Sequence, residues 1–224
     1  MKKFILSFMM LLAVTFTISA QQSNYYVKYG EDVNVTHGTH YPKLVGVSNV
    51  RGDQQVANNI ASAPGCQAYF DLTKNGVVFQ VKSGETITPL ITINGAWMHG
   101  YVFVDWNDNK QFDVNLTGDG PFIKGEGNEL MCWSLYDKGG DGNSGWNSAG
   151  LHVSGDVLAP GSFRVPEGLE VGSLYRMRFA VMWNCIDPTG DYANFVSDGG
   201  SLIDVTLRVS GIASEDEMRD YPIN

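Results

Sequence analysis

YVFVDWNDNKQF, residues 101–112, carries an alternating apolar run through Tyr101, Val102, Phe103 and Val104, and then sets Asp105, Asn107, Asp108 and Asn109 within five residues before an aromatic returns at Phe112. β-branched and aromatic residues favour a pleated, half-buried surface. Asp and Asn close turns by bonding their own backbone. The stretch therefore reads as a strand running into a tight turn, and the same grammar recurs along the chain.

Strands are expected over 43–50, 68–72, 77–82, 86–93, 99–106, 130–135, 174–183 and 202–209, separated by many of the 26 glycines. Helical periodicity is scarce after residue 20. About eight short strands with turn residues between them predict an all-β fold, a two-sheet antiparallel β-sandwich of jelly-roll or Ig-like type. TKNGVVFQV (73–81) adds an Asn-Gly pair between apolar runs, a hairpin signal. DQQVANNIASA (53–63) offers a turn or two of helix. DKGGDGNSGWNSAG (137–150) reads as an exposed loop whose single large apolar residue is Trp146.

The first twenty residues, MKKFILSFMMLLAVTFTISA, place two lysines before a short apolar run and small residues before Gln21. That order predicts a secretory signal cut after Ala20. No later segment has the roughly 18 apolar residues of a membrane helix. The expectation is an exported protein, periplasmic, cell-surface or extracellular, with no transmembrane segment in the mature chain. Residues 21–210 then form a single domain, and the charged 211–224 a solvated tail. Two of the 15 Lys+Arg and none of the 24 Asp+Glu fall in the signal, leaving 13 against 24 and a formal net charge of −11. Such a surface excludes nucleic acid and anionic lipid, whose recognition needs clustered Lys and Arg. Cys66, Cys132 and Cys185 permit one disulfide in any of three pairings. A Cys132–Cys185 bridge and three buried thiols are the alternatives.

Two constellations carry candidate chemistry. Asp105, Asn107, Asn109 and Asp113, with the Gln111 carbonyl, put oxygens at alternating positions, as a calcium loop does. Lys110 replaces the glycine of an EF-hand, and Leu116 stands where its bidentate Glu belongs, so a second acidic segment has to complete any cation site. The competing reading is a turn closed by its own Asp and Asn side chains. The second constellation is aromatic. Trp97, Trp106, Trp133, Trp146 and Trp183 all fall within 97–183, and indoles beside polar loops stack on sugar rings. Trp106 and Trp183 belong to strands and to the core. Trp146, Trp133 and Trp97 are the expected ligand-binding residues. On the strand 174–183, Arg176 and Arg178 share one face, with Asp105 or Asp204 as partners for an ion-pair ladder.

VFVDWNDNKQF, FRVPEGLEVGSLYRMRF and GGSLIDVTLRV, in that order over about 99–209, resemble the GEVED domain, a β-rich module of bacterial surface and secreted proteins. The positions that agree are Asp105, Trp106, Asn107, Asp108, Phe112, Arg176, Met177, Arg178, Gly200 and Asp204. Ser201 and Ile203 stand where the family carries its two glutamates, and Val205 where it carries tyrosine. The resemblance implies a β-rich module of the kind appended to adhesins, proteases or glycoside hydrolases, and it assigns no general activity.

Together these readings predict a secreted, non-enzymatic module binding carbohydrate or another surface polymer. One alternative is a calcium-rigidified structural or adhesion domain contacting a surface protein. Another is a small glycoside hydrolase using paired carboxylates such as Asp187 and Asp191. The sequence carries no G-x-S-x-G, H-E-x-x-H or phosphate-loop signature.

Overall fold

The computed structural model describes residues 25, 28–29, 38–51, 54–62, 67–114, 127–136, 144–154, 157–183, 195–196 and 199–215. They form fourteen strands: β1 (Lys28–Tyr29), β2 (Tyr41–Arg51), β3 (Gln54–Ser62), β4 (Tyr69–Asp71), β5 (Val78–Ser83), β6 (Thr86–Asn94), β7 (His99–Asp105), β8 (Leu130–Tyr136), β9 (Ser144–Asn147), β10 (His152–Ser154), β11 (Phe163–Arg164), β12 (Leu174–Met182), β13 (Phe195–Val196) and β14 (Gly200–Ile212). One sheet runs β10-β9-β8-β7-β12-β14-β4, with β5 also on β14, and a second runs β11-β6-β2-β3. All eight strands expected from the sequence are present.

The two sheets close on one apolar layer. Val45 and Val47 of β2 and Ile87 and Ile91 of β6 meet Val102 and Val104 of β7, Phe179 of β12, and Ile203 and Val205 of β14. Alternation along each strand selects these residues for one face. Removing side chains of this size from water contributes about 1.5 to 3 kcal/mol each. This is an all-β sandwich, as the alternation predicted.

The structure departs from the sequence reading in four places. Residues 54–62 form β3, paired with β2, where a short helix was expected. Asn75-Gly76 does not turn a hairpin. Gly76, at φ 73°, caps a 3-10 turn over Leu72–Asn75 and donates its N–H to the Leu72 and Thr73 carbonyls. The chain then rejoins the same neighbour, so β4 pairs with β14 at Leu202–Asp204 and β5 at Thr206–Ile212, both parallel. The edge of an otherwise antiparallel sheet is thus one parallel strand broken by a turn. Finally, 144–147 form β9 inside the segment read as a loop. Pairing of β14 also continues past 210 to Ile212, and Ala213 is buried.

Gly200 sets the start of β14 against β12. Its φ is 99°, and a Cβ there would fall 1.9 Å from the Val181 carbonyl oxygen. Among the described residues no helix is long and apolar enough to cross a membrane.

Candidate functional site

The larger sheet has a second buried face, turned away from the sandwich interior. Tyr101 and Phe103 of β7, Leu130 and Trp133 of β8, Ala180 and Met182 of β12, and Leu202 of β14 form it, with Phe112 folded over them. At its centre β12 and β14 place Arg178 directly opposite Asp204. Neither has any exposure. Arg178 donates Nε to Asp204 Oδ1 at 2.6 Å and Nη2 to Oδ2 at 2.8 Å. Arg176 adds Nη1 to Oδ2 at 2.8 Å, and the Tyr69 hydroxyl donates to the same oxygen at 2.9 Å. The ion-pair ladder expected of the two arginines is therefore built on Asp204.

Asp105 faces the cluster's other side. Its register partner on β12 is Arg176, but its carboxylate binds the Tyr25 hydroxyl and the backbone N–H groups of Asn109 (3.2 Å) and Lys110 (3.0 Å). Burial first, and then the Asp105 hydrogen bond, hold the Tyr25 phenol well above its ordinary range. Burial and Asp204 do the same for Tyr69. Burial alone would lower the Arg176 pKa, but Asp204 outweighs it and raises it. Asp71 also pairs with Arg176, at 3.5 Å. Burial pushes its carboxyl up, and the Thr73 hydrogen bond and Arg176 more than reverse that, leaving it below the ordinary 3.8.

The turn after β7 is closed by its own groups. Asn107 Oδ1 accepts from Asn109 N–H at 2.9 Å, and Asn109 Oδ1 from Gln111 N–H at 2.8 Å. The Nδ2 groups of Asn107 and Asn109 both point at Asp113 Oδ2, at 3.0 and 2.8 Å. Asp108 and Lys110 take positive φ, 55° and 72°, so Lys110 adopts the backbone that a glycine would adopt more cheaply. Glu129, just ahead of β8, supports the turn from beneath. Its carboxylate accepts the N–H groups of Trp106 (2.9 Å), Asn107 (3.3 Å) and Asp113 (2.9 Å). Burial raises its pKa, and those bonds offset part of the rise. Oxygens of Asp105, Asn107 and Asn109 thus accept backbone N–H donors, and the amide nitrogens of Asn107 and Asn109 face Asp113. Among the described residues, no group of three or more His, Cys, Asp or Glu is arranged for a metal.

The aromatic residues divide differently from the sequence expectation. Trp133 is 7% exposed and packs in the outer-face cluster, which removes it from any solvent-facing platform. A bulge at Met131 sets its side: Val102 pairs with Cys132 and Phe103 with Leu130, so Met131 and Cys132 both turn inward and Trp133 turns outward, where the cluster of Tyr101, Phe103 and Phe112 buries it. Trp97 is 47% exposed in the turn between β6 and β7, and Trp146 is 49% exposed on β9. Trp106 is half-buried against the inner core, its Nε1 donating to Met131 Sδ at 3.1 Å.

Trp146 is held out by a rigid hairpin. Its neighbours Gly145 and Asn147 are buried. Asn147 Oδ1 accepts from the N–H groups of Ala149 and Leu151, both at 3.0 Å, and its Nδ2 donates to the Ala159 carbonyl at 2.9 Å. The Asn147 N–H donates to the Leu151 carbonyl at 3.0 Å. Trp146 lies opposite Leu135 on one side and His152 on the other, so all three share the outer face. The His152 ring meets the indole edge-on at 5.0 Å. Leu151 and Val157 nearby in sequence are exposed as well. Nothing in the sequence spacing marked Asn147 as the residue that fixes the platform; its Asx bonding became visible only with the turn.

Cys66, Cys185, Asp187 and Asp191 lie outside the described residues, as does the signal segment, and Cys132 is buried in β8. The fold and the site define an all-β sandwich with a satisfied ionic centre and an exposed aromatic edge. No protein-family model matches the chain, and no curated protein matches it.

Proposed function

We propose that the protein is an exported, non-enzymatic binding module that stacks Trp146, on its β9–β10 edge, against a carbohydrate or another surface polymer of a bacterial cell. The supporting observation is an indole that keeps 49% of its surface in solvent while its strand neighbours are buried and its turn is pinned by Asn147. A ring held in place before the ligand arrives loses little freedom on binding, which favours affinity. Trp146 has His152 against it as a polar neighbour, the kind of group that bonds a sugar hydroxyl beside a stacked ring. The buried carboxylates Asp105, Glu129 and Asp204 are spent on N–H, tyrosine and arginine donors, which fits a role in holding the scaffold. Membership of a GEVED-like family is part of the same proposal and rests on the matching residues from Asp105 to Asp204.

Contact with a surface protein is a second reading, favoured by the exposed Leu151 and Val157, which lie near Trp146 in sequence. A glycan array probed with the wild type and Trp146→Ala separates the two. The expected result is retention by a subset of glycans, weakened about tenfold or more in the variant, the equivalent of about 1.4 kcal/mol. Equal retention of both proteins removes Trp146 from the site, and no retention of either favours the protein contact. Release of reducing ends from the retained glycans would contradict the non-enzymatic reading.

A further inference from the structure

Trp97 lies in the link between β6 and β7, 47% exposed, with φ at 59°. A bulky residue takes that backbone only under strain. The link is pinned on both sides of it. Asn94 Nδ2 donates to the Thr39 carbonyl at 2.7 Å, Gly95 lies so close to the His40 ring that a Cβ would overlap it, and Met98 and His99 are buried. Strain of this kind persists where the surroundings impose it, and it gathers at ligand sites. Here it holds half of an indole in solvent, as the Asn147 turn holds Trp146. The register brings the two together at one end of the larger sheet. Gly100 pairs with Ser134 and Leu135 with Trp146, so His99, two residues after Trp97, comes level with Trp146. Two strand spacings separate β7 from β9, which sets the two backbones roughly 10 to 15 Å apart.

We propose that Trp97 and Trp146 are two stacking positions for one ligand, and that the ligand is therefore a linear oligosaccharide or polysaccharide chain, not a single terminal sugar. The inference rests on the reading of Trp146 as a stacking ring and adds the length of what it binds. One sugar ring covers one indole, and a gap of this size takes a chain of several. A chain already held at one ring meets the second as an intramolecular event, so the gain in affinity arises only when the chain is long enough to reach. The strained backbone at Trp97 is the cost of presenting the second ring, because an indole left half in solvent returns little packing to the fold.

Two readouts on the full mature chain test this. The first needs no ligand. Asparagine takes positive φ at lower cost than tryptophan, so Trp97→Asn should unfold thermally at or above the wild-type midpoint. A midpoint several degrees lower would show an indole that packs, and overturns the proposal. The second uses a glycan array that carries each linear repeat at two lengths, disaccharide and hexasaccharide, probed with the wild type, Trp97→Asn and Trp146→Ala. The wild type should hold the longer form about tenfold or more tightly than the shorter. Trp97→Asn should lose that preference and keep the wild-type retention of the disaccharide, and Trp146→Ala should weaken both lengths. A Trp97→Asn protein that keeps the preference overturns the two-ring site while leaving Trp146 as the binding ring. Trp146→Ala retained like the wild type at both lengths, or no retention of the wild type at either, removes the carbohydrate reading at Trp146 and this inference with it.

Discussion

Arg178 and Asp204 lie on neighbouring central strands with no exposure, whereas Trp146, near the edge of the same sheet, keeps 49% of its surface in solvent. In the centre, polar groups are enclosed and every oxygen of Asp204 has a donor: Arg178 on one, and Arg178, Arg176 and Tyr69 on the other. At the edge, a large apolar group keeps about half of its surface open among the described residues, and the hydrogen bonds of Asn147 serve to hold it there. Charge buried and paired specifies the fold and resists change. An aromatic ring fixed in the open is available to a ligand. Sheet position, more than residue chemistry, separates the two.

The contrast can be broken most severely at Asp204. Its removal leaves Arg178 charged, enclosed and unpaired, and breaking a buried pair in this way costs about 3 to 5 kcal/mol. Urea unfolding of Asp204→Ala should show that loss, while any ligand affinity measured where the variant is folded stays at the wild-type value. Glu129→Gln comes next. The new amide presents N–H to one of the N–H groups of Trp106, Asn107 and Asp113, leaving a buried donor unsatisfied at about 1 to 3 kcal/mol. The same unfolding experiment reads it.

Asp71 sharpens the comparison through pH. Its folded pKa lies below the ordinary 3.8, so its contribution is present above that value and is lost as pH falls through the folded one. Asp71→Asn should be less stable than the wild type at neutral pH by up to about 1 kcal/mol, since the Arg176 pair is partly exposed. The gap should close as pH drops below the ordinary carboxylate range. A gap that is constant with pH would remove the ion pair from the explanation.

How much of this the sequence disclosed follows from the range of each interaction. The alternation in 99–106, 174–183 and 202–209 is local, and it placed β7, β12 and β14 and put Arg176 and Arg178 on one face. Residues 54–62 lack β-branched residues apart from Val56 and Ile60, so their strand comes from pairing with β2, which composition does not encode. The Asn-Gly pair was misleading because the partner of both flanking strands, β14, lies some 130 residues away in the chain. Trp133 was misplaced because the outer face of β8 is itself covered: Tyr101, Phe103 and Phe112 share one buried cluster with it, and no local pattern records that contact between segments. Glu129 escaped notice as the support of the turn because its bonds to Trp106 and Asn107 cross the segment between β7 and β8. Trp146 was picked out correctly as exposed, although for the wrong reason: a strand, not a loose loop, presents it.

The turn after β7 gives a smaller test. Its side-chain oxygens accept N–H donors and its amides are aimed at Asp113. Calcium and magnesium at millimolar concentration should raise the melting temperature equally, by screening the acidic surface. Magnesium demands tighter octahedral geometry, so a rise specific to calcium, and abolished by Asp105→Ala, would show a true site.

The most direct measurement compares Trp146→Ala with the wild type in one pair of experiments, thermal unfolding and titration with a glycan retained on the array. The expected result is a stability within about 0.5 kcal/mol of the wild type and binding weakened about tenfold or more. A drop of several degrees in the midpoint, where about 1 kcal/mol corresponds to about 2 to 4 °C in a domain of this size, together with unchanged affinity, would contradict the division between a structural centre and a functional edge.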